Sequence, residues 1–157
     1  MRVALVYCSR SQGNTAQVVR ALTGRYAFDA VLPVEDAFGA DVDLAGFDLV
    51  VLASGIYFGY ADKRVRRIAR ERLARGQRVF VVLTHGSNSD HYCLKWTSAL
   101  EAAGLDVIGG ATCQGFYNFG PFKLVGGMHP DTPTDDAIAA IVDAYGAALE
   151  RCAAAQA

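Results

Sequence analysis

Three short apolar runs constrain this chain more than anything else in it. Val3–Tyr7 reads VALVY, Leu49–Ala53 reads LVVLA and Val79–Leu83 reads VFVVL. Each is nearly continuous in apolar residues and does not alternate, as expected of strands buried on both faces. Such strands need helices above and below them, and the intervening segments supply these. Thr15–Leu22 places Ala16, Val18, Val19 and Leu22 at helical spacing, and Ala61–Arg75 does the same with Val65, Ile68, Ala69 and Leu73. Residues 91–103 form a third helix with Gly104 as its stop. Residues 106–112 form the last strand, and 28–34 a weaker one that Pro33 ends or confines to an edge. Thr132-Pro133-Thr134-Asp135 reads as an N-cap, a first-turn proline and a capping acid, opening a helix that runs to about Ala153.

Strands alternating with helices give an α/β class with a parallel sheet and right-handed crossovers. With no repeat and no low-complexity linker, residues 1–157 are read as a single domain. The expected topology is a doubly wound five-stranded parallel sheet of order 2-1-3-4-5. In such sheets ligands bind outside the carboxyl ends of the strands, where the strand order reverses. That point lies between the first strand and Leu49–Ala53.

Composition removes several classes. Hydrophobic residues make up 52% and charged residues 20%, which places the chain among globular proteins. No apolar run approaches the ~20 residues of a membrane span. The start, MRVALVYCSR, is too short and too polar at its end for a signal peptide, so a cytoplasmic location is expected. Cys8, Cys93, Cys113 and Cys152 form no CxxC pair and read as reduced thiols. His85, His91 and His129 do not stand at ligand spacing with them, and no metal site is expected. Net charge is −1, yet residues 62–78 hold eight basic and two acidic residues. Helical spacing makes that block the solvated face of one helix. Without interleaved aromatics it does not point to nucleic acid, although it could steer an acidic partner.

The chemistry gathers in three loops. The first strand runs into YCSRSQGNT, where Ser9, Ser11, Gln12, Gly13, Asn14 and Thr15 stand at the start of a helix. Unpaired N–H groups and the helix dipole favour an anion there, with hydroxyls adding donors and Gly13 allowing close approach. An ordinary helix cap facing water is the alternative. No lysine follows Gly13, as a GxxxxGK phosphate loop would require, and GxGxxG is absent. The residue six after Cys8 is Asn14 and not the arginine a cysteine phosphatase needs, and the first and third strands end in Ser9 and Ser54 and not in phospho-acceptor carboxylates. A neutral cradle suits a terminal phosphate monoester held without reaction. The second loop, Ser54-Gly55-Ile56-Tyr57-Phe58-Gly59-Tyr60, has an aromatic tip. The third, Thr84 to Tyr92, is polar and includes Gly86 and Asn88. An aromatic ring on a phosphate-ended tail matches the three together.

These residues resemble the flavodoxin family. Ser9-x-Ser11-x-Gly13-Asn14-Thr15 is similar to that family's phosphate loop, Ser/Thr-x-Ser/Thr-Gly-Asn-Thr, lengthened by Gln12, and the likeness extends over nearly the whole chain to Cys113-Gln114-Gly115. The resemblance implies FMN as cofactor. Ser9, Ser11, Gln12, Gly13, Asn14 and Thr15 would hold its phosphate. Ser54, Gly55, Ile56, Tyr57, Phe58 and Gly59 would line one side of the isoalloxazine, and Thr84, Gly86, Asn88 and Tyr92 the other side and the pyrimidine edge. Gly55 or Gly59 could turn a carbonyl toward flavin N5. No catalytic side chain is required for electron transfer; His85 and His91 are read as surface loop residues. The segment Gly115–Pro133 is a cover for the flavin edge, a partner surface or a structural lid packed on the core. The expected role is electron carriage between a partner reductase and an acceptor, by a monomer or weak dimer. An NAD(P)H-dependent quinone reductase and a flavin-free regulatory module are the alternatives.

Overall fold

Alternate residues of each buried run go to opposite faces of one sheet, and each face builds its own core. The computed structural model describes residues 1–10, 13–39, 41–86, 91–116, 127 and 131–154. In chain order the elements are β1 (Val3–Cys8), α1 (Asn14–Arg25), β2 (Ala30–Pro33), β3 (Leu49–Tyr57), β4 (Tyr60–Ala61), α2 (Lys63–Glu71), β5 (Arg78–His85), α3 (His91–Ala102), β6 (Asp106–Gln114) and α4 (Asp135–Ala154). Ala4, Val6, Val50, Leu52, Val79, Val81 and Leu83 pack on Val65 and Ile68 of α2 and on Trp96 and Leu100 of α3. Val3, Leu5, Leu49, Val51, Ala53, Phe80 and Val82 pack on Val18, Val19 and Leu22 of α1 and on Ile141, Tyr145 and Ala148 of α4. Tyr145 anchors that second core, with its ring 5.1 Å from Tyr26, 5.8 Å from Phe28 and 5.2 Å from Phe80.

The strands run in the order β2-β1-β3-β5-β6, all parallel, with β4 added antiparallel to β3. The five long strands therefore follow the expected 2-1-3-4-5 order. β1 and β3 pair directly, from Val3 opposite Leu49 to Cys8 opposite Ser54. The chain leaves β1 for α1 on one face and β3 for α2 on the other, which opens the crevice at the carboxyl edge. β6 carries a bulge opposite Val79 and Phe80, and the Arg151 guanidinium donates to the Ile108 carbonyl there at 3.4 Å.

Three boundaries differ from the sequence reading. The loop expected from Ser54 begins as strand, because β3 continues to Tyr57 and turns back through Phe58 and Gly59 into β4. Both turn residues have positive φ, 51° and 82°, the two-residue hairpin geometry that matches sheet twist. α2 is shorter than Ala61–Arg75; it begins after Asp62, whose side chain accepts the Arg64 N–H at 2.9 Å. α4 is capped by Thr134, whose Oγ1 accepts the Ala137 N–H at 3.2 Å, so Thr132 is not its cap and Pro133 precedes the helix.

Leu52 sits mid-strand with no exposed surface, between Val6 and Val81. Leu52→Ala is expected to lower stability by about 2–5 kcal/mol. Urea unfolding would read this as a lower midpoint at unchanged slope.

Candidate functional site

β1 ends at Cys8 and α1 begins at Asn14, so the loop between them lies on the crevice. Gly13 turns the chain into the helix with φ 69°, and a Cβ there would meet nothing within 4 Å. Its N–H donates to the Arg10 carbonyl at 2.9 Å, closing a tight turn. Ser9 Oγ accepts the Ala16 N–H at 3.1 Å. Among the described residues the N–H groups of Asn14 and Thr15 have no acceptor. A helix start carries N–H groups without partners in the helix and the positive end of its dipole, and these fit an anion.

Side chains tie this loop to three neighbours. The Asn14 carboxamide pairs with Phe116 as a strand would: Nδ2 donates to the carbonyl at 2.9 Å and Oδ1 accepts the N–H at 3.2 Å. A Cβ on Gly115 would collide with that carboxamide. Thr15 and Thr84 share a hydroxyl–hydroxyl hydrogen bond of 2.9 Å, with both residues buried. Arg10 reaches Asp62 at 2.8 Å, and its Cζ lies 3.9 Å from the centroid of the Tyr57 ring.

Asp62 is the electrostatic centre. Its side chain is fully buried and accepts from Arg10, from Arg64 Nε at 3.0 Å and from the Arg64 N–H. Arg64 also pairs with Glu35 and donates to Cys8 Sγ at 3.1 Å. Burial alone would raise the Asp62 carboxyl, but the hydrogen bonds from Arg64 and Arg10 prevail and hold it well below the usual carboxylate range. Burial, reinforced by Asp62, pushes the Cys8 thiol up to about 11 despite the two arginines. Cys8 is thus a neutral thiol near pH 7 and not an activated nucleophile.

The second and third loops approach from β3 and β5. Ser54 is fully buried, donating to the Gly55 carbonyl at 2.7 Å and accepting the Asp62 N–H at 2.8 Å. Ile56 is half-buried against the α2–α3 core. Tyr57 is half-buried and folds back over Gly55, while Phe58 at the hairpin tip is 85% exposed. Tyr92 on α3 stands beside Gly59, 3.9 Å from where a Cβ would be, and 6.2 Å from His85 by ring centroids. Gly86 follows β5, its carbonyl 3.5 Å from the Gln114 amide. His85, expected at the surface, is buried, because β5 carries it into register with Gln114 of β6; His91 is exposed. Ser11, Gln12, Asn88 and most of the segment Gly115–Pro133 lie outside the described residues. Among the described residues no His, Cys, Asp and Glu cluster could hold a metal ion. A separate cleft of about 240 Å³, lined by Arg78, Asp106, Ile108, Ala148, Arg151 and Cys152, opens where β5 and β6 begin, at the opposite edge of the sheet.

Sequence reasoning missed Arg10, Glu35, Asp62 and Arg64. Arg10 and Asp62 stand 52 positions apart, and no local pattern links them. The one available signal was an acid set directly before a basic helix, a helix cap. Asp62 is depressed below its unfolded value of about 4. Its contribution is therefore complete above that pH and is lost as pH falls toward the folded value. Asp62→Asn is expected to lower stability near pH 7 by about 1–3 kcal/mol, a range that allows for the partly exposed arginines. It should also flatten the acid limb of stability against pH, measured by urea unfolding between about pH 3 and 7.

No family model matches the sequence. An uncharacterized protein of Methanocaldococcus jannaschii is 26% identical over 147 residues, covering 88% of this chain and 91% of its own. Among solved structures, the two-electron reduced flavodoxin of Megasphaera elsdenii is 25% identical, covers 70% of this chain and 84% of its own, and gives a TM-score of 0.56. Oxidised flavodoxin 1 of Bacillus cereus is 14% identical over 96% of this chain and 98% of its own, with a TM-score of 0.67. An apo NADH:FMN oxidoreductase is 13% identical over 94% and 87%, with a TM-score of 0.57. With the strand order described above, these likenesses show that the chain has a flavodoxin-like fold.

Proposed function

We propose that this protein binds FMN and carries electrons. The observation behind this reading is the helix start at Gly13, which follows the carboxyl end of β1 at the crevice, with aromatic side chains supplied by the hairpin and α3. Backbone donors without a lysine suit a terminal phosphate that is held and not transferred. Ser9, Gly13, Asn14 and Thr15 would hold the phosphate, with Ser11 and Gln12 belonging to the same loop. Asn14 and Thr15 would act through their N–H groups, since their side chains are tied to Phe116 and Thr84. Gly55, Ile56, Phe58 and Gly59 would border the ring on one side, and Gly86, Asn88 and Tyr92 on the other. Ser54 and Thr84 would hold the loop ends in place. The flavin supplies the redox chemistry when bound. The chain's own part is to bind it, orient it and keep water from its inner face.

Electrons would come from and go to separate proteins. α2 presents exposed Lys63, Arg66, Arg67 and Arg70 next to the site, a field that favours acidic partners. The competing reading is a reductase of the same fold, as the likeness to an NADH:FMN oxidoreductase suggests.

The test is a visible absorption spectrum after mixing with FMN and removing the excess, followed by reductive titration. Retained flavin reduced in two separate one-electron stages is the expected outcome. Direct reduction by NADH or NADPH in one two-electron stage would favour the reductase. Failure to retain flavin would overturn the cofactor assignment.

A further inference from the structure

The hairpin between β3 and β4 carries two aromatic rings that belong to neither core. Phe58 is 85% exposed and holds φ at 51°, a backbone conformation that a residue with a bulky side chain rarely adopts. Tyr60, two positions on, is 49% exposed. An aromatic side chain in water on unfavourable backbone does not serve the interior. Such features gather where a surface meets something else.

Cations from two helices converge on Tyr60. The Lys95 Nζ of α3 lies 4.0 Å from its ring centroid, and the Arg66 Cζ of α2 lies 5.3 Å from it. Both side chains are exposed, as is Lys63 one turn before Arg66. Among the described residues none of these three cations has a carboxylate within ion-pair distance. Arg67 and Arg70 differ, since both reach Glu71, at 2.7 and 3.8 Å. Positive charge without a local counter-charge therefore collects at the hairpin and not evenly along α2. Aromatic rings and arginine are the side chains enriched at protein interfaces, and the unbalanced charge sets the sign of the partner.

We propose that this cluster is the docking surface for a redox partner whose own face carries carboxylates around an apolar patch. Phe58 and Tyr60 meet the apolar patch, and Lys63, Arg66 and Lys95 meet the carboxylates. This rests on the electron-carrier reading above and adds to it the surface on which the partner sits. An anionic membrane offers the same sign of charge. Lys95 and Arg66, however, lie down over one ring, a fixed arrangement that suits carboxylates fixed on a protein better than mobile headgroups. Steering by the whole of α2 and docking at Tyr60 are separable, because Arg67 and Arg70 contribute to the first and stand outside the second.

The probes are native cytochrome c, which is basic, and partly succinylated cytochrome c, which is acidic and holds the same haem. Reduced FMN-loaded protein passes an electron to the ferric haem of each, followed by stopped-flow absorbance over a range of NaCl. The acidic form is expected to react about tenfold faster or more at low salt, with the advantage shrinking as salt screens it. Lys95→Gln and Arg66→Gln each reduce that advantage. Tyr60→Ser slows the acidic form with its salt dependence unchanged. Arg70→Gln removes the same charge from a cation that Glu71 balances, and changes little. Circular dichroism confirms that each variant is folded; should Tyr60→Ser fail to fold, Lys95→Gln against Arg70→Gln carries the comparison. Equal rates for the two cytochromes, or a faster basic form, would overturn the proposal. Equal losses from Arg70→Gln and Lys95→Gln, or a folded Tyr60→Ser without effect, would reduce the surface to a general field and overturn it as well. Sedimentation with vesicles of phosphatidylserine and phosphatidylcholine that Lys95→Gln abolishes would make the cluster a membrane contact instead. Protein that retains no flavin would sink the carrier reading, and docking is then read by calorimetric titration of both cytochromes into the flavin-free chain. There, binding of the acidic form alone upholds the surface, and any other result overturns it.

Discussion

A carboxylate buried between two guanidiniums fixes the geometry of the whole carboxyl edge. Withdrawing Asp62 from water is costly, and only well-placed partners offset that cost. Arg10 comes from the loop after β1, Arg64 from the first turn of α2, and both converge on the same two oxygens. Because the same carboxylate also caps α2, the start of that helix and Arg10 cannot shift independently. Glu35 and Cys8 extend the cluster to the end of β1 and the turn after β2. The Arg10 side chain is consequently held in place by its fixed partner Asp62.

That arrangement alters what the polar residues at the crevice do. A hydroxyl-rich stretch suggests a ring of side chains around a phosphate. Among the described residues, Asn14 and Thr15 instead join this loop to others, at Phe116 and Thr84, and Ser54 on β3 does the same with Asp62. The start of α1, with the N–H groups that a helix start leaves without helical partners, stands beside the crevice. Fixed dipoles held by a surrounding scaffold need not reorganise when charge arrives, which flexible side chains would have to do.

The fold was legible because its signals are local. Val3–Tyr7, Leu49–Ala53 and Val79–Leu83 announce two-sided burial, and the helices between them carry their apolar stripes at the right spacing. The hairpin at Phe58-Gly59 was not legible, because an aromatic residue at positive φ is not a turn signal and strand β3 gives no sign of where it ends. The position of the loop between β1 and α1 was legible from strand followed by Gly-Asn-Thr at a helix start. The Arg10–Asp62–Arg64 cluster was not, since it joins residues whose proximity exists only once β1 and β3 are side by side. His85 was misread for the same reason: polarity suggested a surface loop, and strand pairing placed it inside.

The two ends of the strand order carry a consequence of a different kind. An exposed sheet edge is a template on which another chain can add a strand. On one side β2 is only four residues long and finishes in Pro33, which has no N–H to offer. On the other, β6 is broken by its bulge, and Arg151 occupies the Ile108 carbonyl at the break. Among the described residues, neither border offers a long, regular ladder of free donors and acceptors. A strand added by another chain would meet a proline at one margin of this apolar sheet and an arginine-occupied bulge at the other, so growth by strand addition is disfavoured at both.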